Sequence, residues 1–349
     1  MLSILNESGQ PVDGIFLYKA PKIHPQFSGY EYVYASSEND WKPGASQHRL
    51  DQASGAVHET LAQLQGSENV SYILYNDERP DGKSDVGSFG HTKGVLAWDS
   101  VTKAGFWLLH SWPKFPVIGA VVAPTPDYGQ TFLGLSVDSL TLQSIATQMM
   151  ACQNPQVYDC RILDGTPDEL KALANGHWDT HGLDDTHQPG QFTRFDHKTI
   201  GGMPFTVFAK NSAWNDDFWN DGVGPAVDDE LECETWVRGA MPLTVDRHGV
   251  ARAIDVKFIN MGALGIHVVF PETADHAKHA IGKDPNKALI CVGDINRMIS
   301  QRKRGGGCIV FSNLNLWSAM SKADMIQPMD GQSREEAHAH IQKTHVKPT

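Results

Sequence analysis

Short apolar runs alternate with helical spacings along the whole chain, and that alternation restricts the fold more than any other feature. Strand-like runs occupy 14–20, 71–77, 94–99, 104–111 and 131–137, and again 205–210, 254–259, 266–270, 288–293 and 307–312. Helical spacing covers 54–66, 138–151 (with Asp138 as N-cap) and 227–239. Interleaved strands and helices close into a layered α/β or α+β fold, not a β-sandwich or a helical bundle. At 349 residues the chain has material for two compact units. A junction falls where a short helical pattern runs into a Gly/His/Asp-rich loop. The expected organisation is an N-terminal half (1–165), a linker (166–192), a C-terminal half (193–325) and a polar tail (326–349).

Each half carries one His-x-Lys motif: His91/Lys93 and His276/Lys278, 185 residues apart. A third copy, His345/Lys347, lies in the polar tail and is set aside. One such motif in a chain with 16 histidines is expected by chance and decides nothing. Residues two apart on a strand share a face, so imidazole and ammonium repel unless an anion lies between them. Two motifs facing each other across a pseudo-twofold axis would suit a phosphodiester. The lysines would hold its non-bridging oxygens, one histidine would attack phosphorus, and the other would protonate the departing oxygen. His110 and Asn296 follow their motif histidines at offsets of 19 and 20, and could donate hydrogen bonds to the phosphate or fix the histidines.

Composition narrows the alternatives. No apolar run approaches 18 residues, so no membrane span is expected. The N-terminus has no basic region and only a short apolar stretch, so no secretory signal is visible. Five cysteines without a Cys-x-x-Cys pair give neither a disulfide scaffold nor a zinc ribbon. His177, Asp179, His181, Asp184, Asp185 and His187 could ligate a metal, but their spacing fits no ligand template and a solvated linker is preferred. The net charge of −12 disfavours a polyanionic partner at neutral pH; protonating every histidine carries it to +4. Acid would therefore reverse the field such a partner meets.

The blocks "SGQPVDGIFLYKAPK", "YILYND", "GHTKGVLAWD", "GFWLLHSWPKFP", "YGQTFLGLS", "FAKN", "DHAKHAI" and "CVGDINRMISQRKRGGGC" together resemble the deoxyribonuclease II family, in the family's order and across most of 8–320. The resemblance implies a phospholipase D-like fold of two pseudo-symmetric halves, each a mixed β-sheet flanked by helices. It implies an acid-active, metal-independent DNA endonuclease that needs no cofactor. The reaction would pass through a phosphohistidine and leave 3′-phosphate and 5′-hydroxyl ends. The partner would be DNA, bound without sequence preference and without a membrane. The catalytic set would be His91, Lys93, His276 and Lys278, with the nucleophile undecided between the two histidines. His110 would support the site from the family's "HS-x-P-x-FP" block. Arg302 and Arg304, in the cationic "QRKRGGG", would contact DNA backbone or form a surface turn.

Departures from the pattern are plain. The superfamily has Asp five residues after each Lys; Trp98 and Lys283 stand there, with Asp99 and Asp284 one residue later. The N-terminal cysteine of the animal members is missing, which suggests a microbial one and leaves open whether the family's secreted or acidic address applies. Cys291 and Cys308 fall near a family disulfide and are expected to bridge only in an oxidising compartment. Alternatives kept open are a phospholipase D-like phosphodiesterase on a non-DNA substrate, a non-catalytic nucleic-acid-binding relative, and metal-dependent hydrolysis through the linker loop.

Overall fold

The computed structural model describes residues 1–83, 89–120, 127–176, 190–237, 239 and 251–326; the six-residue acid/histidine set of the linker and the third His-x-Lys copy lie outside them. After a short hairpin, β1 (Ile4–Leu5) with β2 (Pro11–Val12), the first half contributes β3 (Gly14–Lys19), β4 (Glu31–Ser36), β5 (Gly44–Arg49), β6 (Val70–Asn76), β7 (Lys93–Asp99), β8 (Ala104–His110), β9 (Gln130–Asp138) and β10 (Val157–Arg161). The second contributes β11 (Phe192–Lys198), β12 (Pro204–Lys210), β13 (Leu231–Thr235), β14 (Ala253–Asn260), β15 (Val269–Pro271), β16 (Lys278–Gly282), β17 (Leu289–Gly293), β18 (Gly306–Ser312) and β19 (Asp324–Ile326). Helices are α1 (Ala56–Ala62), α2 (Ser139–Gln148), α3 (Asp168–Asn175), α4 (Gly224–Val227) and α5 (Leu314–Ala323).

The first sheet runs β10-β6-β7-β8-β9-β3-β4-β5, the second β11-β12-β18-β17-β16-β13-β14-β15 with β19 against β14. Five consecutive strands match between them: β6-β7-β8-β9-β3 and β13-β16-β17-β18-β12, antiparallel at every step. Helix α2 follows β9 as α5 follows β18. The two halves thus repeat one strand–strand–strand–helix unit with the His-x-Lys strand at its start. They differ at the edges: β10 runs antiparallel to β6, whereas β14 runs parallel to β13.

Strand β7 is buried on both faces, which is why its sequence reads as a continuous apolar run instead of an alternation. One face (Val95, Ala97) joins an outer cluster with Phe106, Leu108 and Val57 of α1. The other (Leu96, Trp98) joins a cluster shared by both halves, including Trp107, Leu142, Ile281, Ile290, Val292 and Ile309. Each such side chain, fully buried, stabilises the fold by about 1.5–3 kcal/mol. A shared core of this kind sets one half rigidly against the other, as a site split between them requires.

Two local expectations are corrected. The stretch 227–239, expected to be helical, contains β13, a strand between β16 and β14. Its Glu and Leu favour helix, but Leu231 and Cys233 alternate into a core with Ala280 and Cys291, and sheet packing prevails. The run 266–270 yields only the short strand β15. Helix α2 starts as expected, with the Asp138 carboxylate accepting from Thr141 N at 2.8 Å.

Candidate active site

Lys93 and Lys278 are the first residues of the equivalent strands β7 and β16, so His91 and His276 lie just before them. Ser111 and Asp294 are likewise the first residues after the equivalent strands β8 and β17. The two halves meet reciprocally here. His276 Nδ1 lies 2.9 Å from the carbonyl of Ser111, in the first half, and His91 Nδ1 bonds the carbonyl of Asp294, in the second. A carbonyl only accepts, so each Nδ1 carries the proton and each Nε2 presents its lone pair. Gln130 Oε1, 3.3 Å from His276 Nδ1, adds a second acceptor there.

All four motif side chains are buried. The surroundings of the two halves differ. The Asp77 carboxylate bonds Lys93 Nζ, accepts from Arg304 Nη2 at 3.1 Å, and lies 3.9 Å from His91 Nε2. Burial alone would raise Asp77; Lys93, then His91 and Arg304, hold it well below the usual carboxylate range. Among the described residues no carboxylate faces His276 in the same way. Its neighbour Asp275 accepts from Ala277 N at 2.9 Å and from the Tyr18 hydroxyl. Lys278 Nζ lies 3.1 Å from His276 Nδ1 and donates to the His276 carbonyl at 2.6 Å. Burial, then Lys93, lowers His91; burial, then Lys278 and Lys93, lowers His276. Burial and Lys93 lower Lys278 as well. The His276–Lys278 pair is therefore a site of mutual repulsion that an anion would relieve, whereas at His91–Lys93 the Asp77 carboxylate already supplies one.

Glycines let the backbones converge. A Cβ on Gly90 would meet Gln153 O at 1.7 Å, and one on Gly129 would meet Asp275 Oδ1 at 2.5 Å. Gly129 brackets His276 through His276 N to Gly129 O and Gly129 N to Ala274 O, both 2.9 Å. Gly305 O accepts from His91 N at 2.8 Å. The glycines of "QRKRGGG" thus include contacts that seat the first motif.

The remaining expected residues are distributed around this centre. Arg304 points inward to Asp77 and to the carbonyls of Phe89 and Gly90. Arg302 is half-buried in a short turn, its carbonyl accepting from Lys210 at 2.8 Å. His110 is packed between Phe115 and Phe132, its Nδ1 accepting from Trp112 N at 3.2 Å; burial, then Lys93, lowers it to about 3. It reaches the centre through the backbone, since Ser111 follows it. Asn296 is buried two residues beyond Asp294, its Oδ1 without a hydrogen-bond partner among the described residues. Asp99 and Asp284 accept from turn amides.

Cys291 and Cys308 are free thiols, and the expected bridge is absent. They sit on adjacent strands but two residues out of register, opposite Val310 and Gly293 respectively. That diagonal places Cα atoms about 7–8 Å apart, beyond disulfide reach. Among the described residues no group of His, Cys, Asp and Glu is arranged to hold a metal, and no helix is long and apolar enough to cross a membrane.

Asp77, Gln130 and the carbonyls of Ser111 and Asp294 were not singled out from sequence. Asp77 was within reach: pairing the adjacent strand runs 71–77 and 94–99 as a hairpin puts it beside the first motif, and Asp77 N does donate to Thr92 O at 3.2 Å.

Two matched halves with one histidine–lysine centre at their junction define a two-half layered α/β protein of the architecture anticipated above. The sequence profile described as Deoxyribonuclease II matches residues 3–328. A Burkholderia thailandensis protein named "Putative deoxyribonuclease-2" is 43% identical, covering 99% of this chain and 98% of its own. Deoxyribonuclease-2 of Caenorhabditis elegans is 31% identical over 91% and 92% of the two chains, and human deoxyribonuclease-2-beta 30% over 91% and 89%. The chain belongs to the deoxyribonuclease II family, and is a hydrolase of the nuclease class.

Proposed function

We propose that this protein is an acid-active, metal-independent endonuclease that cleaves DNA without sequence preference through a phosphohistidine on His276. The observation that carries the reading is the reciprocal anchoring of both Nδ1 atoms by carbonyls of the opposite half, which leaves two Nε2 atoms for one phosphate. His276 Nε2 attacks phosphorus and the bond to the 5′-oxygen breaks. His91 Nε2–H gives its proton to that oxygen, releasing a 5′-hydroxyl. Water then attacks the phosphohistidine, His91 takes its proton, and the P–N bond breaks to leave a 3′-phosphate. Lys93 and Lys278 stabilise the charge of the transferring group.

The division of roles rests on the asymmetry around the rings. A nucleophile must be unprotonated, and His276 has Lys278 close by and, among the described residues, no facing carboxylate. A general acid must hold a proton at Nε2, and among the described residues only His91 has a carboxylate, Asp77, near that atom. Burial and the neighbouring cations disfavour the protonated form of both rings without substrate. The phosphodiester's charge and acid together supply the missing proton, and acid also lifts the repulsion between DNA and a chain of net charge −12.

The test is nicking of supercoiled plasmid in excess chelator, from about pH 4 to 8, by wild type, His91→Ala and His276→Ala. Nicking confined to acid and abolished by either substitution supports the mechanism. Cleavage that survives both, or that requires a divalent ion, sinks it. A 4-nitrophenyl phosphodiester, whose leaving group needs no proton, separates the roles. His91→Ala should still release nitrophenol in a first turnover and His276→Ala should not; the reverse pattern would exchange the assignments.

A further inference from the structure

Beside the buried imidazole of His276 lie two partly exposed aromatic rings. Trp236, half-buried just past the end of β13, meets His276 edge-on, with centroids 4.5 Å apart and planes at 63°. Tyr128, 36% exposed and directly before Gly129, lies 6.5 Å from His276 and 5.7 Å from Trp236. The Lys278 ammonium sits 5.9 Å from the centroid of the Trp236 ring. Nothing comparable flanks the other histidine: among the described residues His91 makes no ring contact.

We propose that Tyr128 and Trp236 form a stacking subsite for the nucleobase whose 3′-oxygen carries the scissile phosphate. The inference rests on the nuclease reading above and deepens it. A phosphate held by His276 and Lys278 keeps its 3′-linked nucleoside through both steps, while the 5′-linked one departs toward His91. The retained sugar and base stay on the phosphorus that is bonded to His276, and both rings lie beside that histidine. Tyr128 offers an exposed aromatic surface there, and the ammonium beside Trp236 gives that corner both halves of a nucleotide site, cation for phosphate and π-face for base. Every base has such a face, so the subsite adds affinity without sequence preference. Its contribution also orders the reaction: a base stacked beside His276 holds phosphorus at the nucleophile while the 5′ strand is released.

The experiment compares kcat/KM for thymidine 3′-(4-nitrophenyl phosphate) and methyl 4-nitrophenyl phosphate, which share a leaving group and differ in the nucleoside. Wild type should prefer the nucleoside ester by roughly tenfold or more. Tyr128→Ala and Trp236→Leu should each cut that ratio severalfold, and Trp236→Phe, which keeps a ring, should restore most of it. Equal losses on both esters would overturn the proposal, leaving the rings as a wall that only holds the imidazole. An unchanged ratio in correctly folded variants would overturn it too. Failure of wild type on plasmid and on both esters is the separate outcome in which the nuclease reading itself falls, and the subsite with it.

Discussion

Asp77→Asn is the perturbation with the largest consequence that the structure allows to be worked out. The Asp77 carboxylate is buried, bonds Lys93 and Arg304, and faces His91 Nε2. At pH 7 it is ionised, because Lys93 and Arg304 outweigh its burial. The amide keeps the shape and one acceptor but removes the charge, leaving buried cations opposed to one another. Breaking a buried pair in this way costs about 3–5 kcal/mol. For a chain of 349 residues unfolding as one unit, the melting entropy is about 0.7 kcal/mol/K, so the melting temperature should fall by about 4–7 °C. The location of the missing charge adds a sharper test. Inorganic phosphate can replace the lost carboxylate, so it should stabilise the variant by about 2.7 kcal/mol at a hundredfold excess over its dissociation constant, and wild type by less. The assay is thermal unfolding at pH 7 in low salt, with and without phosphate, alongside the nicking rate. A variant that melts with wild type and responds equally to phosphate would refute the view that Asp77 holds the cationic cluster together.

Four further outcomes follow from the same geometry. Because the folded pKa values of His91 and His276 lie below their unfolded value of 6.5, these groups should cost stability as pH falls through 6.5, and changing both to Gln should flatten that limb in urea titrations. Glu232 has the opposite sign: burial, then Asp324, pushes it up to about 7, so its contribution is full below the unfolded value of 4.5 and lost as pH rises through 7. Glu232→Gln should remove that loss, by no more than about 1–2 kcal/mol given the group's partial exposure. Gly129→Ala places a Cβ 2.5 Å from Asp275 Oδ1, so it should destabilise by about 1–3 kcal/mol and slow nicking by displacing His276, measurable by urea unfolding and a plasmid assay. Finally, all five cysteines should react with a thiol reagent in denaturant without prior reduction, and a reductant should leave the melting temperature unchanged.

Local chemistry made much of this protein legible in its sequence. Runs such as 94–99 and 104–111 are apolar on both strand faces and short between turns, so β7 and β8 could be read directly. Two His-x-Lys pairs, costly alone, asked for an anion and for each other. What could not be read was decided by packing at a distance. "LECET" is rich in helix formers, yet it lies between two strands of a sheet and becomes β13, with Glu234 fully buried. "KHAIG", with its polar start, shows no strand period, and is held as β16 by ladders to β13 and β17. The anchors of the two histidines are backbone carbonyls of Ser111 and Asp294, which every residue type possesses, so no side-chain motif announces them. Trp236 reaches His276 from 40 residues away. Residue types determined which chemistry this chain carries, because charge and nucleophilicity are local properties. Only the folding of one half onto the other decided which atoms meet, because hydrogen bonds and burial act over a few ångströms in space, whatever the separation along the chain.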